Sequence, residues 1–157
     1  MLDINTDAFF MREAIKQAKR AFEENEVPVG AIMVCNNHII AKAYNQVEVL
    51  ADATAHAEMI CITSASEYLG AKFLNDCTLY VTLEPCMMCA GAIKWSRISK
   101  LVIAAADEKE GFITKYKANH LLNAKTEIIF GVEEKEAIQL LKDFFQKLRN
   151  NNQRNWN

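Results

Sequence analysis

Pro85-Cys86-Met87-Met88-Cys89 sets two thiols three residues apart just after a proline. If a helix starts there, positions i and i+3 share one face, and both sulfurs can reach a single ion. The helix N-terminus adds partial positive charge and unpaired amides, which favour the thiolate form that zinc needs. Taken alone, the pair is also compatible with a redox dithiol or with half of a structural zinc site. A structural site should supply four protein ligands, yet Cys35, Cys61, Cys77, His38 and His120 offer no second closely spaced pair. A thioredoxin-like dithiol should follow an early strand, and it would leave Glu58 unexplained.

The third ligand is expected to be His56, in Thr54-Ala55-His56-Ala57-Glu58. An isolated histidine in such a segment would otherwise be a surface helix residue. In mid-helix His56 and Glu58 would point about 200° apart, so they serve one site only where extended chain is turning into helix. The sequence puts them at such a start. His56, Cys86 and Cys89 would leave a fourth position open, the mark of a catalytic rather than a structural zinc. Water in that position has its pKa lowered towards about 7, and Glu58 would accept its proton and pass it on.

Ordinary elements must position these residues. Residues 8 to 23 carry Met11, Ile15, Ala18 and Phe22 at spacings of 4, 3 and 4, one apolar stripe along a helix. Pro28 breaks the pattern, and Val29 to Val34 and His38 to Tyr44 read as strands joined by a tight turn at Asn36-Asn37. Thr54 to Tyr68 lacks Gly and Pro, which predicts a helix with Asp52 or Thr54 as N-cap. Thr78 to Leu83 reads as a strand, and Pro85 is expected to open the next helix from its first turn. Leu101 to Ala106 is a continuous apolar run suited to a strand buried on both faces, and Thr126 to Val132 reads as a last strand. Ala137, Leu140, Leu141, Phe144, Phe145 and Leu148 form the apolar face of a final helix. The order α-β-β-α-β-α-β, a short irregular or helical piece, then β-α predicts an α/β fold: a three-layer α/β/α sandwich around a mixed sheet of about five strands.

At 157 residues, 51% hydrophobic and 24% charged, residues 1–157 match one globular domain of ordinary size, and neither disorder nor a fibrous architecture is suggested. No apolar run approaches the roughly 20 residues needed to cross a bilayer, and Met1-Leu2-Asp3-Ile4-Asn5 lacks the basic segment of a signal peptide, so no membrane and a cytoplasmic location are expected. Five cysteines, an odd count, suit thiols or metal ligands better than a disulfide framework. A net charge of -2 argues against a surface coated in phosphate-binding charge. After Asp143, however, only basic charges follow, at Lys147, Arg149 and Arg154. From about residue 150 the asparagine-rich end is expected to be a flexible tail.

His56-Ala57-Glu58 followed by Pro85-Cys86-Met87-Met88-Cys89 resembles the two-part signature of the cytidine deaminase superfamily. Within it, the chain is similar to the bacterial tRNA-specific adenosine deaminases from about Arg12 to Arg149. The similar segments are Glu26-Val27-Pro28-Val29-Gly30-Ala31, Ala55 to Glu58, Thr82 to Ala92, Ser96-Arg97-Ile98, and Leu141 to Arg149. The resemblance implies a cytidine deaminase-like fold, one zinc ion per subunit, a homodimer, and hydrolytic conversion of the wobble adenosine of a tRNA anticodon stem-loop to inosine after the base is flipped into the zinc pocket. It further implies that Glu58 protonates first the ring nitrogen beside the attacked carbon and then the departing amine. By the same likeness Asn45 hydrogen-bonds the base, Val29 and the backbone at Ala57 line the pocket, and Asp107 contacts a neighbouring ribose. Phe144, Phe145, Lys147 and Arg149 match an RNA-facing final helix, although the phenylalanines also complete an apolar helix face. Met87, Met88, Ile93 and Trp95 fall near the implied interface and would be equally at home in a core. The chain departs from the family by a shorter loop after Gly111 and by Ala124 where the family tends to have His. The alternative is a deaminase of a free nucleobase or nucleoside, of guanine or cytosine type. A non-catalytic zinc module is a third reading, and it has no use for Glu58.

Overall fold

In the computed structural model, which describes residues 6–154, Thr6 caps helix α1 (Asp7–Glu23) by accepting the Phe9 amide at 3.1 Å. Met11, Ile15 and Ala18 face inward, and Phe10, Ala14 and Ala21 widen their stripe. Strands β1 (Gly30–Cys35) and β2 (His38–Tyr44) pair antiparallel. Between them Asn36 and Asn37 have positive φ, 51° and 60°, which a two-residue turn of the primed type requires and asparagine tolerates. A short turn of helix, α2 (Val47–Leu50), precedes α3 (Ala57–Leu69). There follow β3 (Cys77–Leu83), α4 (Met87–Trp95), β4 (Lys100–Ala105), a 3-10 turn at Asn119–Leu121, β5 (Glu127–Phe130) and α5 (Glu134–Arg154).

The strands form one mixed sheet in the order β2-β1-β3-β4-β5, with β1 antiparallel to β2 and β3, and β3, β4 and β5 mutually parallel. Alternation along each strand sorts side chains onto two faces. Ala31, Met33, Leu79, Val81, Leu101 and Ile103 pack with Ala57, Cys61 and Ala65 of α3 and with Ala90 and Ile93 of α4. Ile32, Val34, Tyr80, Val102 and Ala104 pack with Phe10, Met11, Ala14 and Ile15 of α1 and with Ala137 of α5. This is the three-layer sandwich that the order of elements predicts. A Cβ at Gly30 would lie 2.1 Å from the Ala14 carbonyl oxygen, so α1 crosses β1 backbone to backbone. The carboxyl ends of β3 and β4 feed the turn into α4 and the loop after Ala105, the end of an open α/β sheet where ligands bind.

Local chemistry moves several boundaries. α3 begins at Ala57, not near Thr54, because the Asp52 carboxylate accepts the Thr54 amide and hydroxyl, both at 2.8 Å, and so closes a turn of its own. Pro85 stands outside α4: Cys86 is the N-cap, and the Pro85 carbonyl accepts the Phe112 amide at 3.0 Å. β5 stops at Phe130, where Gly131 turns with φ of 90°. Ile93, grouped with the implied interface, is 1% exposed and belongs to the core. Where a flexible tail is expected from about residue 150, α5 continues to Arg154, and the rest of that segment, 155–157, lies outside the described residues. No helix among the described residues is long and apolar enough to cross a membrane.

Candidate metal centre and substrate cleft

Two extended residues turn into helices and face one another. His56 (φ -75°, ψ 151°) is the N-cap of α3, and Cys86 (φ -73°, ψ 174°) is the N-cap of α4. Neither side chain caps its own helix, which leaves both free for each other and for Cys89 in the first turn of α4. The Ala57 amide, one of the unpaired donors at the start of α3, is taken by Asn45 Oδ1 at 2.8 Å. His56 Nδ1 lies 3.7 Å from Cys86 Sγ and 3.5 Å from Cys89 Sγ, and the ligand atoms of all three fall within 4.8 Å of one another. A tetrahedral zinc ion about 2.3 Å from sulfur and about 2.0 to 2.1 Å from nitrogen needs N···S edges of about 3.6 Å. The two observed edges bracket that value, so the donors fit the ion in type and in spacing.

The electrostatics are those of a cluster waiting to lose protons. Cys86 is pulled down to about 4, first by the hydrogen bond from the Cys89 thiol and then by His56. Cys89 is pushed up, by that same bond to Cys86 and by burial. Contact with Cys86 raises His56. Glu58, on the first turn of α3 and 4% exposed, is raised chiefly by burial. A buried carboxyl shifted upward beside a candidate metal site suits a group that must both take and give a proton.

The remaining sequence candidates divide. Val29 and Ala57 are buried next to Asn45, and the Val29 carbonyl accepts the Asn45 amide at 3.1 Å. The bond to the Ala57 amide leaves the Asn45 –NH2 and the second lone pair of Oδ1 free of α3. Asp107 is half-buried, and its Oδ1 accepts the amides of Lys109 and Glu110 at 2.9 and 3.2 Å. A groove runs between the loop after Ala105 and α5, lined among others by Asp107, Lys109, Glu110, Phe145 and Arg149. Phe144 is not on it. That ring is 6% exposed and packs edge-on against Phe22 at 5.9 Å, while Lys147 lies over Phe22 with Nζ 5.4 Å from the ring. Of the four residues grouped on the final helix, only Phe145 and Arg149 reach the groove.

Two buried carboxylates went unread in the sequence. Glu26, 1% exposed, accepts the Glu48 amide at 2.6 Å and the Val49 amide at 3.2 Å, holding α2 beside Asn45. Glu84, 2% exposed, accepts donors from Asp107, Ile113 and Thr114. The available signal was a single acid close to a proline, in Glu26-Val27-Pro28 and in Glu84-Pro85, the latter closing an apolar strand.

A profile of the MafB19-like deaminase family matches residues 4–149. The chain is 48% identical over 146 residues to a tRNA-specific adenosine deaminase of Aquifex aeolicus, covering 91% of this chain and 96% of that one. It is 45% identical over 146 residues to one of Bacillus subtilis, covering 91% of each. A solved structure from studies of A-to-I editing by tRNA:A34 deaminases at the wobble position of transfer RNA matches with a TM-score of 0.78 at 39% identity, over 84% of this chain and 98% of that one. A guanine deaminase from Bacillus subtilis matches with a TM-score of 0.62 at 35% identity, over 73% of this chain and 70% of that one.

Proposed function

The chain belongs to the MafB19-like deaminases, alongside the tRNA-specific adenosine deaminases it matches over 91% of its length, and on that footing we propose that it hydrolyses the 6-amino group of the wobble adenosine in a tRNA anticodon stem-loop, leaving inosine and ammonia. The observation that carries this reading is the cluster itself: two thiols within 4.8 Å of each other, an imidazole 3.5 and 3.7 Å from them, and a buried carboxyl on the same helix start. His56, Cys86 and Cys89 hold one zinc ion per subunit. Bound zinc supplies Lewis-acid activation of a water, whose pKa falls towards about 7. Glu58 receives the proton of the attacking water, delivers it to the ring nitrogen beside the reacting carbon, and then protonates the departing amine. Its burial keeps that proton from bulk water between the two transfers.

Asn45, through its –NH2, fixes the edge of the flipped base, with Val29 and the backbone at Ala57 closing the pocket around it. Asp107 meets the ribose of a neighbouring nucleotide, and Phe145 and Arg149 carry the stem-loop along the groove. The enzyme works as a homodimer in the cytoplasm, paired through α4, where Met87, Met88 and Trp95 are 41%, 37% and 77% exposed. A second reading, deamination of a free base of guanine or cytosine type, draws its support from the likeness to guanine deaminase.

The test is to incubate zinc-loaded protein with an anticodon stem-loop bearing a wobble adenosine, and separately with adenine, guanine, cytosine and their nucleosides. Inosine in the stem-loop alone is expected. Turnover of a free base with an untouched stem-loop would transfer the protein to the second reading.

A further inference from the structure

We propose that Glu84 is a positioning residue whose buried carboxylate ties the turn carrying Cys86 to the loop 107–114, and so sets the substrate-facing wall of the cleft against the reacting centre. The part about substrate rests on the RNA reading above; the part about the loop does not. Glu84 stands directly before Pro85-Cys86. Its Oε1 accepts the Asp107 amide at 3.1 Å and the Thr114 hydroxyl, and its Oε2 accepts the amides of Ile113 and Thr114, each at 2.9 Å. Four donors, two on each oxygen, all come from one loop, and none is a cation. The main chain is stitched in the same place: the Glu84 amide donates to the Ala105 carbonyl at 2.8 Å, and the Phe112 amide donates to that of Pro85 at 3.0 Å.

Gly111 closes the loop onto this carboxylate. A Cβ there would lie 2.4 Å from both Glu84 Cδ and Oε2, and 2.5 Å from the Asp107 carbonyl oxygen. The loop cannot lift away without leaving a buried carboxylate unsatisfied, which makes the arrangement stiff. Its order propagates outward, because Asp107 in turn holds the amides of Lys109 and Glu110, and those three residues line the groove that faces Arg149. Glu84 thus governs where the wall stands while taking no part in proton transfer.

A carboxamide offers one acceptor oxygen and turns its –NH2 against N–H donors. In Glu84→Gln, zinc content and kcat should stay within about threefold of wild type while KM for the stem-loop rises roughly tenfold or more, the split expected when binding rather than chemistry is lost. Hydrogen exchange at Asp107, Ile113 and Thr114 should quicken, with Ile60 of α3 unchanged. Gly111→Ala displaces the same loop with Glu84 intact and should give the same split, which covers the case in which Glu84→Gln fails to fold. A loss in kcat at unchanged KM, or wild-type KM in both variants, overturns the proposal. A wild type that ignores the stem-loop sinks the RNA reading instead. The split is then read on whichever base it does turn over, and unchanged exchange in both variants overturns the inference whatever the substrate.

Discussion

Glu58 and the three residues it faces form one proton inventory, and its state before metal binding dictates how the metal arrives. Zinc requires both thiolates and a neutral imidazole. Cys86, held down at about 4, is already ionised at neutral pH, whereas Cys89 is pushed up and keeps its proton. His56 is raised, so it stays protonated to higher pH than a free imidazole. Loading the ion at pH 6 should therefore expel protons, from the thiol pair and from His56, and the His56 share should vanish as pH climbs past its raised value. Affinity accordingly increases with pH and is lost on acidification. Calorimetric titration of metal-free protein in buffers of different ionisation heat measures this, and proton release near zero at pH 6 would contradict it. That His56, Cys86 and Cys89 come together was legible in the sequence from their types, their spacing and the helix starts that carry them. Glu26 and Glu84 were not, because their partners lie 22 to 30 positions away along the chain and no local pattern marks a carboxylate that pins a distant loop.

Among the elements, periodicity carried far and caps did not. The 3.6-residue stripe of α1 and the asparagine pair of the hairpin are local signals, and the structure follows both. The start of α3 is decided by competition: Asp52 is a good cap residue, but its own turn reaches the Thr54 amide first, and the helix waits for His56. That delay brings His56 and Glu58 to one site. The contact of α1 with β1 makes a sharp stability test. Gly30→Ala would drive a methyl into the Ala14 carbonyl oxygen and to within 2.5 Å of the Ala18 amide nitrogen. Backbone cannot yield as a side-chain tip would, so the variant should lose about 3 kcal/mol or more, at the upper end for overpacking. Urea unfolding reads this directly, and a loss under about 1 kcal/mol would mean that α1 slides on the sheet at little cost.

For the whole molecule, the question is which surface meets nucleic acid when the net charge is only -2. Neighbours on a helix point about 100° apart, so Phe144 and Phe145 need not meet the same partner, and composition could not say which stays exposed. The fold buries Phe144 against Phe22 and carries Lys147 to that side, leaving Phe145 and Arg149 on the groove, and on the proposed reading it is this groove that takes the RNA. Arg149→Ala should therefore raise KM for the stem-loop and reduce the slope of log KM against log salt by about 0.7 to 0.9, the share of one phosphate contact. Lys147→Ala should leave that slope unchanged, and equal effects from both would return the RNA to the other flank of α5. The claim on which everything else depends is hydrolysis at the His56, Cys86 and Cys89 cluster with Glu58 as proton carrier. Zinc content and inosine formation on the wobble-adenosine stem-loop, measured side by side for wild type and Glu58→Gln, test it most directly. About one zinc per chain is expected in both, with the rate in the variant reduced by about a hundredfold to ten-thousandfold. Wild-type turnover by a zinc-loaded Glu58→Gln would contradict the account.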